Sequence, residues 1–322
     1  MYLFCYNLKL STYKKDVFDL ISILNYTEYE VHEMKQFKLI AIDIGGTLLS
    51  DDNKISKRNI DAINKAQKHG IKIVLITARM YSSTKYISKT IKADYGIFGN
   101  GNVVMNLKNR KVIYKSYINK DMVQSLITFA KNNELYIHIS RILWEAADEN
   151  KYFALKHNIL NKNYPINLKS NIIVVDNLFE YCRKHSDVVN AVFVSNKNMD
   201  SIIKKIKKEF PNLFITEYNK NLYEHAINKT INYVEVSNNI RNKSDGLIEL
   251  INHLKIAMDE VLVIGDGIND IEMFNVFNNS GCASNSNEMV KKIAGYVSEC
   301  SNNQSAVSDI INYYLGNGED NI

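Results

Sequence analysis

The feature that most constrains this chain is Phe37–Ser50, FKLIAIDIGGTLLS, where the apolar run Leu39–Ile42 delivers one aspartate, Asp43, onto two glycines. A run of β-formers ending in an acid and a glycine pair reads as a buried strand of a parallel sheet, releasing its chain at the carboxyl edge. Open α/β sheets bind their ligands at that edge. A carboxylate there is placed to meet substrate, and it serves equally well to cap the following turn.

The balance is tipped far downstream by Val261–Asp270, VLVIGDGIND, a second apolar run ending in Gly-Asp-Gly and then Asn269 and Asp270. Two buried strands that each present an aspartate at the tip can set carboxylates side by side. Hard oxygen ligands of this kind suit Mg²⁺, which keeps several waters and shares its shell with substrate phosphates. Between the two runs lie Thr77, closing KIVLIT, and Lys243 in NKSDGL. A hydroxyl and an ammonium orient a phosphoryl group and neutralise its charge.

Together, Asp43…Thr47, Thr77, Lys243 and Gly265-Asp266…Asn269-Asp270 resemble the four motifs of the haloacid dehalogenase (HAD) superfamily. The likeness is strongest to the Cof-type sugar-phosphate phosphatases, which carry a large α/β cap between the second and third motifs. It runs from about Met34 nearly to the C-terminus, and GDGIND is its most specific piece. The resemblance implies an α/β fold: a Rossmann-like parallel-sheet core with an inserted α+β cap domain. It implies Asp43 as the nucleophile of an aspartyl-phosphate, with Thr77 and Lys243 holding the phosphoryl group. It also implies a Mg²⁺ bound by Asp43, the Gly45 carbonyl and Asp266, with Asp270 orienting or completing the shell. Asn269 and Asn100, the latter in the Asn-Gly step after a short strand, are candidate substrate contacts.

One departure stands out. The family's first motif has a second aspartate two residues after the nucleophile, and here that position is Gly45. The missing carboxyl protonates the leaving oxygen and later deprotonates the attacking water, help worth roughly 10²–10⁴-fold. The metal ligand at this position is a main-chain carbonyl, so glycine leaves it in place. Three origins fit the residue: natural loss in a binding or regulatory relative, chemistry run without that acid, or a single-base or engineered change. Phosphonate hydrolases and cation-pumping ATPases also lack the aspartate, but their other landmarks are missing here.

At 322 residues the chain holds one large domain or two ordinary ones, and 46% hydrophobic with 23% charged residues is the balance of a soluble globular protein. The formal charge of +5 favours anionic small molecules. No basic stripe interleaved with aromatics suggests nucleic acid. The densest cluster, Lys204-Lys205 with Lys207-Lys208, reads as the solvated face of a helix whose apolar positions are Ile202, Ile203 and Ile206. Cys5, Cys182, Cys282 and Cys300 are scattered and match neither a zinc site nor a disulfide framework, which fits a reducing cytoplasm. No stretch has the length of a membrane span. The expected partner is a small phosphorylated metabolite, and the expected state a monomer or weak homo-oligomer.

In chain order, residues 1–33 read as a dispensable extension, too charged at Lys14–Asp19 for a signal peptide. The core is expected over 34–116 and 237–322. Ser56 starts a helix closed by Gly70, the strand Ile71–Ile76 delivers Thr77, and Val103–Met105 with Lys111–Tyr114 form a hairpin. From 117 to 236 the pattern turns strand-rich with short helices, including Leu135–Ser140, Val188–Val194, Met199–Phe210 and Leu222–Ala226, and this is the expected cap. Within it, Arg141, Trp144, Tyr223, Glu224 and His225 tempt as specificity residues, but packing explains the tryptophan and the histidine has no partner in the pattern. Two other functions are weighed. One is a phospho-ligand binding or regulatory protein on the same scaffold, without useful turnover. The other is a nucleotide-binding module, for which neither GxGxxG nor GxxxxGK[ST] is present.

Overall fold

A computed structural model describes residues 37–143, 145–148, 172–195, 199–218, 232–238 and 242–316. The predicted extension at 1–33, the predicted strand Leu222–Ala226, and Trp144, Tyr223, Glu224 and His225 lie outside the described residues.

The first strand, β1 (Leu39–Asp43), is buried along its whole length. Its alternate side chains enter two cores. Ile40 and Ile42 pack with Ile63, Leu75 and Ile311 on one face, and Leu39 and Ala41 with Val74, Leu247 and Val263 on the other. Burial on both faces is why the run is apolar without alternation, and each buried Ile or Leu contributes about 1.5–3 kcal/mol. Helix α1 (Lys57–Lys68) follows, capped by the Ser56 hydroxyl accepting from the Asn59 amide and ended by Gly70 at φ +82°. It returns the chain to β2 (Lys72–Ile76), parallel to β1. After α2 (Tyr81–Thr90), β3 (Tyr95–Phe98) adds in parallel, and β4 (Val103–Asn106) and β5 (Val112–Lys115) add antiparallel as the predicted hairpin.

The chain then builds a second sheet from β6 (Tyr136–Arg141), β7 (Glu145–Asp148), β8 (Ile172–Val175), β9 (Val188–Ser195), β10 (Leu213–Tyr218) and β11 (Asn232–Asn238), in the order β10-β11-β9-β6-β7-β8. Only β7 and β8 in it run parallel. Helices α3 (Lys120–Asn132), α4 (Leu178–Lys184) and α5 (Asp200–Glu209) cover one face, with Leu126, Phe129, Cys182 and Ile206 against Ile139, Phe193 and Val236. On α5, Ile203 and Ile206 are buried and the four lysines exposed, as the periodicity predicts. Two elements correct the sequence reading. Glu145–Asp148 is a strand and Leu178–Lys184 a helix, neither of which the pattern revealed.

The first sheet resumes with α6 (Lys243–Leu254), β12 (Val261–Gly265), α7 (Ile271–Val276), β13 (Ser280–Cys282), α8 (Glu288–Ile293), β14 (Tyr296–Val297) and α9 (Ala306–Leu315). Its order is β14-β13-β12-β1-β2-β3-β4-β5. This is an α/β core of Rossmann type, mostly parallel, into which an α+β unit is inserted. Strand order reverses at β1, with β2 on one side and β12 on the other. Such a switch point opens a crevice beyond the carboxyl ends of the strands. No helix among the described residues is long and apolar enough to cross a membrane.

Candidate active site

Register brings the predicted residues together. Asp43 at the end of β1 lies level with Ile76, one residue before Thr77. Ile42 lies level with Ile264, so Asp266 emerges just past the tip of the neighbouring strand. Oxygens of Asp43, Asp266 and Asp270 lie within 4.8 Å of one another. Lys243 is only 1% exposed, and its Nζ donates to Asp43 Oδ1 and Asp270 Oδ1, both at 2.6 Å.

Lys243 is carried there by α6, whose N-terminus is closed by a capping box between Asn242 and Asp245. A lysine in a first turn opposes the helix dipole; the two carboxylates offset that cost. The helix reaches the sheet through glycines. A Cβ on Gly246 would stand 2.7 Å from Ile97 Cγ2 and 2.8 Å from the Gly101 Cα.

Asp270 is fully buried and uses both oxygens, Oδ1 for Lys243 and Oδ2 for the amides of Asp266 (3.0 Å) and Gly267 (2.9 Å). It fixes the GDGIND turn as well as the lysine. The Thr47 hydroxyl donates to Asp266 Oδ1, joining the two distant segments directly. Gly46, at φ +75°, lies flush against this carboxylate, because a Cβ there would stand 2.3 Å from Asp266 Oδ2. Gly46→Ala is therefore expected to cost about 1–3 kcal/mol of stability through left-handed backbone strain and to displace Asp266. Urea unfolding would measure the loss, and a substitution with no effect would contradict this packing.

Thr77 is buried at 3% exposure, and its hydroxyl oxygen accepts from the Arg79 amide at 3.2 Å. The Asn100 amide donates to the Thr77 carbonyl at 3.2 Å, which brings Asn100 beside it, and Asn100 Oδ1 is buried without a hydrogen-bond partner. Asn269 is exposed at the rim. Asn285 donates to the Gly46 carbonyl at 3.2 Å, so it braces the first loop.

Two residues absent from the predicted site belong to it. Thr47 is one, and its signal was its place in the first motif. Arg79 is the other, two residues past Thr77; among the described residues beyond Gly45's chain neighbours, its Nη2 is the only heavy atom within 4 Å of a Cβ built on Gly45, at 3.7 Å. Arg141, tempting in the sequence, is engaged elsewhere, with Asp187 at 2.6 Å and the Tyr181 hydroxyl at 2.8 Å. Both line a cavity of about 510 Å³ that shares no residue with the carboxylate cluster.

Three carboxylates against the buried Lys243 ammonium and the exposed Arg79 guanidinium leave the site with excess negative charge. Burial raises Asp43 to about 6, against the pull of Lys243 and with a push from Asp270. Burial and then the Asp43 charge raise Asp266 to about 7. For Lys243, burial alone would lower the pKa, but Asp270 and Asp43 outweigh it and hold the ammonium charged. Hard oxygens, a shared pocket and unneutralised charge fit a divalent cation.

The fold and this site define a hydrolase of the aspartate-tipped α/β class. A family profile described as haloacid dehalogenase-like hydrolase matches residues 40–311, and the chain belongs to that family. A relative, the 5-amino-6-(5-phospho-D-ribitylamino)uracil phosphatase YcsE of Bacillus subtilis, is 22% identical over 286 residues, covering 86% of this chain and 96% of its own. Among solved structures, a haloacid dehalogenase-like hydrolase from Bacteroides thetaiotaomicron has a TM-score of 0.72 at 20% identity, covering 86% of this chain and 99% of that one. The HAD subclass IIB sugar phosphatase BT4131 has a TM-score of 0.64 at 21% identity, over 86% and 98%. These likenesses identify the fold, and the family is one of hydrolases.

Proposed function

We propose that the chain is a Mg²⁺-dependent phosphohydrolase of small phosphorylated metabolites of sugar-phosphate kind, working in the cytoplasm through an aspartyl-phosphate on Asp43. The observation that carries this reading is the convergence of Asp43, Asp266 and Asp270 on one point with Lys243 buried between two of them. Asp43 attacks phosphorus in line. The Thr77 hydroxyl and the Lys243 ammonium hold the phosphoryl oxygens, and Asn100 and Asn269 meet the rest of the substrate. Asp43, Asp266 and the Gly45 carbonyl would hold the cation, with Asp270 orienting the set. Bound there, Mg²⁺ supplies charge stabilisation to the transferring phosphoryl group. The inserted unit, 117–236, is the cap, and its closure excludes water and selects the substrate.

The absent carboxyl at Gly45 favours one other reading, a phospho-ligand binding or regulatory protein that keeps affinity without useful turnover. Phosphate release across a panel of phosphorylated metabolites, comparing the parent chain with Asp43→Asn, separates the two. Turnover that disappears in Asp43→Asn supports the enzyme, and turnover equal in both sinks it.

Cation binding should depend on pH with a fixed sign. Asp43 and Asp266 are raised from 3.8 to about 6 and about 7. The metal-free fold thus holds protons that the unfolded chain has already lost. Between about pH 4 and pH 7 the metal-free protein loses stability as pH rises, because it must ionise buried acids. Mg²⁺ competes with those protons, so its affinity climbs over the same window and binding releases protons. Calorimetric titration in two buffers of different ionisation enthalpy would detect that release, and pH-independent affinity would contradict the assignment.

A further inference from the structure

We infer that Arg79 lies against the open position served elsewhere by a proton donor, and that a guanidinium beside a glycine there restricts the substrate to phosphoryl groups carried on an acidic oxygen: acyl phosphates, diphosphates or enol phosphates rather than phosphorylated primary alcohols. This rests on the phosphohydrolase reading and names the substrate class within it.

Gly45 adopts φ −85° and ψ 124°, which any residue can take, so the backbone does not demand glycine there. Among the described residues, the direction in which its side chain would leave meets only the Arg79 guanidinium, at 3.7 Å. The Arg79 backbone is held on both sides, its amide on Thr77 Oγ1 and its carbonyl by the Gly99 amide, each at 3.2 Å. The guanidinium itself is exposed, and among the described residues no carboxylate pairs with it. Asp43 and Asp270 hold Lys243, and Asp266 holds Thr47. The free cation stands at the mouth of the site beside the nucleophile's loop.

An arginine stays charged at any working pH and cannot protonate a departing alkoxide. It can stabilise an oxyanion by charge-assisted hydrogen bonds. In the first half-reaction an Asp43 oxygen forms its bond to phosphorus as the bond to the leaving oxygen breaks. The electron pair stays on that oxygen, which departs unprotonated beside Arg79. In the second half, water attacks phosphorus, the bond to Asp43 breaks with its electron pair returning to the carboxylate, and both of the water's protons leave on the product as dihydrogen phosphate. Neither half requires a group at Gly45, but the first is fast only when the departing oxyanion is stable in water.

The test is a leaving-group series with Mg²⁺ present: acetyl phosphate, p-nitrophenyl phosphate, phenyl phosphate and glycerol phosphate, in order of rising leaving-group basicity. It is run on the parent chain, Arg79→Met, Gly45→Asp and Asp43→Asn. In the parent chain the rate should fall steeply along the series. Gly45→Asp should flatten it, raising glycerol phosphate roughly 10²–10⁴-fold while acetyl phosphate stays within about tenfold. Arg79→Met should lower acetyl phosphate turnover roughly 10–100-fold. It should also weaken inorganic phosphate binding measured by calorimetry without turnover. A parent series as flat as that of Gly45→Asp, with turnover that Asp43→Asn removes, overturns this inference alone. Equal acetyl phosphate rates in Arg79→Met and the parent chain also overturn it. No turnover of any probe by the parent chain or Gly45→Asp sinks the phosphohydrolase reading and this inference with it.

Discussion

Replacing Gly45 by aspartate is expected to raise phosphate release from a phosphorylated alcohol by roughly 10²–10⁴-fold, the usual worth of a positioned general acid–base group. The substitution asks little of the fold. The backbone at Gly45 already has strand-like angles, and a side chain there meets only the flexible end of Arg79. The contrast with its neighbour is instructive. Gly46 has a positive φ and lies against the Asp266 carboxylate, so it cannot be exchanged without moving the site. The new carboxyl would stand beside the Arg79 guanidinium, on the loop that carries the nucleophile, to protonate the substrate oxygen that leaves phosphorus as Asp43 attacks. Steady-state phosphate release, with Mg²⁺ binding measured in parallel, reads the outcome. Intact cation binding with no gain in rate would favour the binding-protein reading.

Lys243→Met is expected to cost on the order of 3–5 kcal/mol of stability in the metal-free protein at alkaline pH. Among the described residues the ammonium is the one cation bonded to Asp43 and Asp270, and the three groups are almost completely buried. Removing it strands two carboxylates in a medium that solvates them poorly. The sign of the pH dependence follows. Without Lys243, Asp43 loses the interaction that lowers it and rises further from its already raised position. The penalty is then full above that pKa and relieved as the pH falls and the acid takes up its proton. Urea unfolding at two pH values, with and without Mg²⁺, separates the contributions. A loss unchanged between acid and alkaline conditions would show that packing around the lysine stem, not its charge, is what matters.

Much of the core was legible because its signals are local and strong. The runs at Leu39 and Val261 are apolar on both faces, a pattern that only a doubly covered strand needs. Ser56 and Gly70 mark their helix by capping chemistry alone. The residues at the strand tips could be named because a polar group ending such a run has few structural uses. What remained hidden depends on tertiary contact. Glu145–Asp148 contains two alanines and no β-former, and it is a strand because β6 and β8 flank it. Leu178–Lys184 spans two turns, too short for periodicity to emerge, although Asn177 caps it by accepting from the Glu180 amide. Arg79 drew no attention because nothing in the sequence says that Gly45 faces it.

The central strand of the core has an unusual history on the way to the native state. β1 leaves the ribosome early, yet its partner β12 is made only after the whole inserted unit, and the Thr47–Asp266 contact closes a separation of 219 residues. Until then an entirely apolar strand edge waits uncovered, a template for pairing with other chains. Non-local pairings of this length also slow folding. The carboxylate cluster is complete only once β12 has been added after the inserted unit, with β13, β14 and α9 still to follow, so ligands that fill it should stabilise the assembled core rather than the chain's early intermediates.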